Sequence, residues 1–176
     1  MQRALPEHFA AIVRELSESA GLDILLAPPD AQRSYVNLKF EREILSGRVA
    51  MTHSSNDFVN VLRTADVLVS NGGFGAVKLA VSLGVPVVCF GDQDDKPDVC
   101  GRVRRSGVGI GFSWRISRRR IVDSIRRVLR EAKFKERARV VGQELCQYDS
   151  SGRLEAAVER LLRDEAPLLM LGDGGP

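Results

Sequence analysis

An apolar run, Val67-Leu68-Val69-Ser70, leads directly into Asn71-Gly72-Gly73-Phe74-Gly75 and then into a segment with helical spacing that ends at Gly84-Val85-Pro86. This order predicts a strand that delivers a glycine-rich turn to the start of a helix. Glycines at such a turn let the backbone approach a ligand without interference from a Cβ atom. The unpaired N–H groups of the first helical turn and the helix dipole favour an anion there. Taken alone, the segment fits an ordinary strand-to-helix connection equally well.

Further motifs surround this turn in a defined order. The turn completes the pattern A-D-x-x-x-S-N-G-G-x-G, and Gly84-Val85-Pro86, Asp95-Lys96-Pro97, an Arg-Val pair and a Gly-x-Gly strand follow it. This series resembles the donor-binding half of the GT-B glycosyltransferases of family 1, the group that includes macrolide, sterol and plant natural-product glycosyltransferases. The resemblance is close over residues 62–112 and looser over most of the rest. It implies a Rossmann-like α/β fold and transfer of a hexose from a nucleotide diphosphate sugar to a small-molecule acceptor.

The resemblance also implies where the donor binds. The diphosphate of a UDP- or dTDP-linked sugar is expected at Asn71, Gly72, Gly73, Phe74 and Gly75. Asp95 and Lys96 match the pair that hydrogen-bonds the sugar. An acceptor-only carboxylate beside a donor-only ammonium suits two neighbouring hydroxyls, and the lysine can also reach a phosphate oxygen. The alternative for this pair is a solvated charged turn.

The nucleotide base is expected near Ser55, Asn56 and Phe58, in the region that frames the base in the family. Phe58 shares helical spacing with Val61 and Leu62, which favours packing in the core over a contact with the base.

The chain departs from the family at three positions that usually carry polar contacts. Ala76 stands where many relatives have Ser or Thr, Leu79 where many have the ribose-binding Glu, and Val99 where an Asn often contacts phosphate. Each change removes a contact that typically contributes about 0.5–1.5 kcal/mol. A binding domain without transferase activity is therefore the second interpretation.

No catalytic residue is assigned. In the family the base is a His of the amino-terminal half, and neither His8, in the opening helix, nor His53, in a loop, matches it. The spacing of His and Asp residues is poor for a metal site, and the resemblance implies a reaction without metal or cofactor.

The length of 176 residues suits one α/β domain and is too short for the two domains of a GT-B enzyme. We expect residues 1–166 to form the donor-binding domain and assign no structure to the tail, 167–176. The chain looks like half of a glycosyltransferase, so a separate acceptor-binding chain is a possible partner.

Charge, cysteine content and hydropathy indicate which partners and which cellular compartment suit the chain. The net charge is +3, and the basic segment 117–129 is interrupted by Asp123, which favours a solvated helix face over a nucleic-acid interface. Three cysteines without a signal peptide predict a reducing, cytoplasmic setting. No apolar run approaches the roughly 20 residues of a membrane span.

Hydrophobic periodicity predicts strands alternating with helices, and hence a parallel sheet covered on both faces. Strands are predicted over 22–27, 48–51, 65–70, 85–90 and 107–112. Helices are predicted over 5–21, 56–62, 74–83, 97–106 and 117–129; helical patterns then continue through residue 144, and a last helix is predicted over 154–162. The polar segment 30–47 predicts a loop with an uncertain helical piece. The glycines of 107–111 predict a narrow strand, since the rest of a dinucleotide fingerprint is absent.

One strand of the family pattern is missing from this prediction. The family's donor domain begins with a strand at the centre of the sheet, whereas this chain starts at the helix that follows it. A sheet without its middle strand leaves two edges unpaired, which is costly. Another chain supplies that strand, the sheet is rearranged, or the sequence is a fragment.

Overall fold

The computed structural model describes residues 7–19, 22–28, 30–52, 57–113 and 116–147. Its helices are α1 (Glu7–Ser19), α2 (Arg33–Lys39), α3 (Glu41–Leu45), α4 (Phe58–Thr64), α5 (Phe74–Ser82), α6 (Lys96–Ser106), α7 (Arg118–Arg130) and α8 (Lys133–Gln147). Its strands are β1 (Ile24–Leu26), β2 (Val49–Met51), β3 (Leu68–Ser70), β4 (Val87–Phe90) and β5 (Gly109–Phe112). None of these helices combines the length and apolar character that a bilayer span requires.

The chain divides into two compact units, Met1–Gln143 and Glu144–Pro176. The second unit is described only for residues 144–147, the end of α8. The helix predicted over 154–162 and the boundary predicted at residue 166 lie outside the described residues, so both stay predictions.

The three pairings between described strands are parallel, which confirms the predicted α/β class. β1 pairs with β2, placing Ile24 opposite Val49, and β4 lies between β3 and β5, placing Val87 between Leu68 and Gly109. The described strands nevertheless form two sheets, in the orders β1-β2 and β3-β4-β5, because no ladder joins β1 to β3.

The core is organised around β4, whose residues Val87, Val88 and Cys89 are fully buried. Successive side chains of a strand point to opposite faces. Val87 and Cys89 accordingly pack in a cluster with residues of α5 and α6, whereas Val88 packs in a cluster with residues of α1 and α7. Helices thus cover both faces of the three-stranded sheet. A third cluster joins α1 and α2 to β1 and β2.

The segment 30–47, predicted as a loop with an uncertain helical piece, contains more helix than predicted. It is mostly helical, with a 3₁₀ turn over Asp30–Gln32 followed by α2 and α3. Val36 and Phe40 are buried against the third cluster, at 2% and 0% exposure. Val36, Phe40 and Ile44 follow one another at intervals of four, and Ile44 packs against the same cluster. Tyr35, Leu38 and Leu45 are exposed, so apolar residues on both sides of these helices hide the spacing in the sequence. Tertiary burial stabilises these short helices.

Local residue types explain where two of the helices begin or end. Gly84 has a φ of 72°, the left-handed conformation expected after α5. Ser117 caps α7, because its Oγ accepts a hydrogen bond from the Arg120 amide at 3.5 Å. Asp57 precedes α4 without capping it, because its side chain makes no cap bond and its ψ of −10° differs from the extended conformation that caps adopt.

The glycines of β5 confirm the prediction of a narrow strand. A Cβ atom built on Gly109 would overlap the carbonyl of Val87 in β4, and one on Gly111 would overlap the carbonyl of Cys100 in α6. Backbone, which cannot swing aside, occupies the space in both cases. Glycine therefore lets β4, β5 and α6 approach one another closely.

We predict that Gly109→Ala destabilises the fold by about 1–3 kcal/mol or more, the range for overpacked sites, because the added methyl group meets main-chain atoms. Urea denaturation followed by circular dichroism measures this effect. The matched control is Gly75→Ala, since nothing lies within 4 Å of a Cβ at Gly75. Equal midpoints for the two variants would contradict the prediction.

Two of the three cysteines lie side by side in the core. Cys89 in β4 and Cys100 in α6 are both 0% exposed, whereas Cys146 in α8 is exposed. A hydrogen bond with Cys100, together with burial, raises the pKa of the Cys89 thiol. A protonated thiol in an apolar setting behaves as a small hydrophobe and not as a nucleophile.

The native protein should therefore show one fast-reacting thiol per chain with Ellman's reagent, that of Cys146. Addition of denaturant should release the remaining two, for a total of three. Cys146→Ser is the informative variant, because it should abolish the fast phase. Rapid reaction of two or more thiols in the folded chain would show that the core around Cys89 is open.

Candidate functional site

The glycine turn lies where β3 ends and α5 begins. Gly72 has a φ of 84°, and a Cβ atom there would lie 2.9 Å from the Sγ of Cys100. Both the conformation and the space demand glycine. The Gly72 amide donates to the Oγ of Ser70 at 3.2 Å, and the residue is buried. Gly72 thus shapes the turn, and its own N–H points to the protein instead of to a ligand.

The start of α5 presents main-chain donors to the surface. Gly73 is the N-cap, with an extended backbone and no side-chain cap bond, and the first bond of the helix runs from the Val77 amide to the Gly73 carbonyl at 3.1 Å. The amides of Phe74, Gly75 and the residue after it belong to the first turn, where an α-helix offers no internal acceptor. Phe74 is 54% exposed, and nothing lies within 4 Å of a Cβ built on Gly75. Open donors at a helix N-terminus suit an anion.

The structure brings the Asp-Lys-Pro element to this turn. Gly91, which follows β4, lies between them: a Cβ atom there would stand 2.5 Å from the Asn71 carbonyl oxygen and 2.6 Å from Cβ of Lys96. Lys96 also lies 3.4 Å from the Cβ position of Gly72. The ends of neighbouring parallel strands thus converge, and the two predicted halves of the site are adjacent.

Asp95 and Lys96 occupy the start of α6. Asp95 is its N-cap, is exposed, and makes no side-chain cap bond, so its carboxylate faces solvent. The Lys96 ammonium forms an ion pair with Asp94 Oδ2 at 3.0 Å, with the lysine side chain 24% and the aspartate 77% exposed. Such an exposed pair contributes little free energy and exchanges readily for another anion.

Asp94 is a residue that sequence reasoning missed. It is the one non-glycine residue with positive φ among the described residues, at 55°, a conformation that Asp tolerates better than most residues. Asp94 is one of several Asp residues in this loop and belongs to no sequence motif. Only the folded turn shows that it faces Lys96.

Two of the three residues that depart from the family pattern pack in the core. Val99 is 5% exposed within the cluster of α5 and α6, and Leu79 packs against the same cluster. Ala76 is half-buried. The candidate site therefore offers main-chain donors together with the charged side chains of Asp95 and Lys96.

The region predicted for the nucleotide base is only partly described. Ser55 and Asn56 lie outside the described residues, as does His53. Phe58 is half-buried and packs against the cluster that holds Leu62 and Val77, in agreement with the favoured interpretation of its spacing.

Several arginines of the basic helix α7 form ion pairs. Arg118 pairs with Glu15 at 3.3 Å, and Arg127 pairs with Glu131 at 2.8 Å. The hydrogen bonds from Lys133 and Arg127 lower the pKa of Glu131. Acidic partners therefore offset part of the positive charge of this helix.

Comparison with known proteins adds independent information. No protein-family model matches the chain. The chain is 32% identical over 114 residues to UDP-glucosyltransferase A1 of Starmerella bombicola, covering 64% of this chain and 25% of that protein. It is 35% identical over 91 residues to 4'-demethylrebeccamycin synthase of Lentzea aerocolonigenes, covering 51% of this chain and 22% of that protein. The chain thus spans about a quarter of the curated relatives it matches.

Solved structures agree with these relatives. The spinosyn rhamnosyltransferase SpnG matches with a TM-score of 0.69 and 21% identity, over 86% of this chain and 40% of that one. The glycotransferase of kitacinnamycin matches with a TM-score of 0.73 and 20% identity, over 91% of this chain and 40% of that one. The chain is therefore similar in sequence to UDP-glycosyltransferases and has the fold of part of a GT-B glycosyltransferase, as its motifs predicted.

Proposed function

We propose that this chain is the donor-binding half of a glycosyltransferase that transfers a hexose from a UDP- or dTDP-linked sugar to a small-molecule acceptor. The observation that carries the proposal is the juxtaposition, across Gly91, of the open N-terminus of α5 with Asp95 and Lys96 of α6. The similarity to UDP-glycosyltransferases supports it.

In this proposal the diphosphate lies against the first-turn amides of α5, at Gly73, Phe74 and Gly75. The helix dipole and the fixed N–H groups stabilise the negative charge that grows on the departing nucleotide diphosphate. Lys96 exchanges Asp94 for a phosphate or hydroxyl oxygen, and Asp95 accepts a hydrogen bond from a sugar hydroxyl. Asn71, which is exposed beside Lys96, completes the rim of the site.

The base that deprotonates the acceptor has no candidate among the described residues. We propose that it comes with the acceptor-binding half, on a separate chain or on sequence outside these 176 residues. The donor-binding domain is proposed to extend to residue 166 and to work in the cytoplasm, where thiols such as those of Cys89 and Cys100 stay reduced.

A second candidate function is nucleotide binding without transfer. The burial of Val99 and the packing of Leu79 in the core favour it, because two positions that usually carry polar contacts are apolar here. The two functions differ in whether a sugar nucleotide is turned over once an acceptor-binding half is present.

We predict that UDP, dTDP or one of their sugars binds the isolated chain, with affinity measurable by calorimetry or ligand-detected NMR at millimolar ligand. Gly73→Val should abolish binding, because the valine side chain would occupy the space proposed for the diphosphate. The protein itself leaves room for that side chain, so the variant should still fold. The nearest atom to a Cβ at Gly73 is Asn71 Oδ1, at 3.7 Å. Asp95→Ala should weaken binding of the sugar nucleotide about 2- to 10-fold, the value of one hydrogen bond.

The matched control is Asp66→Ala, which also removes one exposed carboxylate but lies at the opposite end of β3, where Asp66 pairs with Lys135 at 3.0 Å. It should leave donor affinity unchanged. Failure of every nucleotide diphosphate and sugar nucleotide to bind at millimolar concentration would contradict both functions. Unchanged affinity of the Gly73→Val variant would show that the diphosphate does not bind at the start of α5.

The isolated chain should show no measurable sugar transfer to a simple phenolic acceptor, because we propose that the base for the acceptor lies on the acceptor-binding half. Chromatographic detection of glycosylated product after long incubation with UDP-glucose is the measurement. Heat-denatured chain controls for uncatalysed transfer. Turnover by the chain alone would show that it holds a complete active site.

A further inference from the structure

One face of α6 lies against the glycine turn. Lys96 and Cys100 are four residues apart in this helix and therefore share a face. The heavy atoms nearest to a Cβ position at Gly72, apart from its chain neighbours, belong to these two residues: Cys100 Sγ at 2.9 Å, and the Cβ and carbonyl oxygen of Lys96, each at 3.4 Å. Cys100 is 0% exposed, whereas the Lys96 side chain is 24% exposed. Gly72 thus rests on α6, with Lys96 at the rim of the site and Cys100 beneath it.

The sulfur of Cys100 also meets the ends of two strands. It accepts hydrogen bonds from the amides of Gly91, which follows β4, and of Phe112, the last residue of β5. The Cys89 thiol donates to the same sulfur. The bond from Cys89, together with the two amide bonds, lowers the pKa of the Cys100 thiol, although burial acts in the opposite direction. One sulfur atom therefore contacts the turn after β3, the end of β4 and the end of β5.

These contacts connect Cys100 to both halves of the candidate site. Gly72 precedes Gly73, the N-cap of α5, so a shift of Gly72 moves the amides of the first turn of that helix. Gly91 lies against the Asn71 carbonyl and the Lys96 side chain. Binding groups are held within about 0.5 Å of their productive positions only if the residues behind them are fixed as well. Cys100 is such a residue, because it lies behind the turn and behind Lys96.

We propose that Cys100 is a positioning residue of the donor site. Its sulfur sets the spacing between the glycine turn, which carries the amide donors, and the start of α6, which carries Asp95 and Lys96. This inference rests on the proposed function, because it concerns the same diphosphate site. Cys100 is fully buried and does not touch the donor, so it acts through Gly72 and Lys96.

The size and the polarity of a thiol both suit this position. The sulfur fills the space that a side chain of residue 72 would need. Alanine at position 100 would leave that space empty and would take an acceptor from the amides of Gly91 and Phe112. Backbone atoms next to a void lose their packing contacts, so the turn would settle toward α6. The amides at the start of α5 would then move relative to Lys96.

The test compares Cys100→Ala with a matched control, Cys89→Ala. Both changes delete a thiol at 0% exposure from the same core cluster. Thermal unfolding followed by circular dichroism should show similar decreases in melting temperature, because each variant leaves a cavity of the same size. Stability thus changes alike in the two variants, and only a positioning role separates them.

Donor affinity is the first readout, measured by calorimetry of the full chain with UDP and with dTDP. Cys100→Ala should weaken nucleotide binding by about tenfold, the order of loss that misplaced binding groups cause, whereas Cys89→Ala should change it by less than about twofold. A role of Cys100 in stability alone predicts no difference between the two variants.

Amide resonances of the chain without ligand give a second readout, which does not depend on donor binding. In Cys100→Ala the NMR signals of Gly73, Phe74 and Gly75 should shift, because the turn moves. In Cys89→Ala the same signals should shift less. Cys100→Ser takes the place of Cys100→Ala if the alanine variant does not fold. It keeps an acceptor on the same Cβ atom and should produce the same changes to a smaller extent.

Three results would contradict the role of Cys100: equal loss of affinity in the two alanine variants, unaltered affinity in Cys100→Ala, or equal shifts of the signals of residues 73–75. Failure of the unaltered chain to bind any nucleotide diphosphate would instead contradict the proposed function. The signals of residues 73–75 would then still decide whether Cys100 positions the turn.

Discussion

The arrangement of the candidate site rests on one steric constraint, the absence of a side chain at Gly91. The Asn71 carbonyl and the Lys96 side chain both lie within 2.6 Å of the position that a Cβ atom would take there. Any larger residue would push the turn after β3 away from the start of α6. Gly72 imposes a related limit, because its left-handed backbone and the nearby Cys100 thiol exclude a side chain. The close approach of these two backbone segments thus places the amide donors at the start of α5 near the side chain of Lys96.

The main-chain amides at the start of α5 are donors that the candidate site offers without any side chain. Leu79 and Val99 pack in the core, so these two positions add no polar side chain to it. Helix N–H groups are present whatever the side chains, and they are held by the fold with no loss of rotamer freedom. In the function that we propose, these amides hold the diphosphate, and Asp95 and Lys96 contact the sugar once Lys96 has left its ion pair with Asp94.

The described strands form two ladders above adjoining clusters of the core. A parallel sheet normally has both faces and most edges covered. Here the clusters below β1 and β3 are continuous, yet the described strands form two ladders. Hydrophobic packing holds the two sheets on one core, whereas the hydrogen bonds between them are missing. Side-chain burial needs only proximity, but a ladder needs a strand at a fixed spacing, and this difference explains how the core closes while the sheet does not.

From sequence alone it was possible to place most strands and helices and the turn at Gly72 and Gly73, because apolar spacing and glycine motifs are local signals. The position of Asp95 and Lys96 near this turn was implied only by the resemblance to the GT-B glycosyltransferases. The same local signals failed for segment 30–47, where burial of Val36 and Phe40 by distant elements makes a polar segment helical. They also gave no sign that Asp94 faces Lys96, that Gly91 is the point of contact, or that the Gly72 amide turns inward to Ser70. Those features depend on which elements meet in space, and only the tertiary structure decides that, because a contact between residues far apart in the chain leaves no periodicity in either segment.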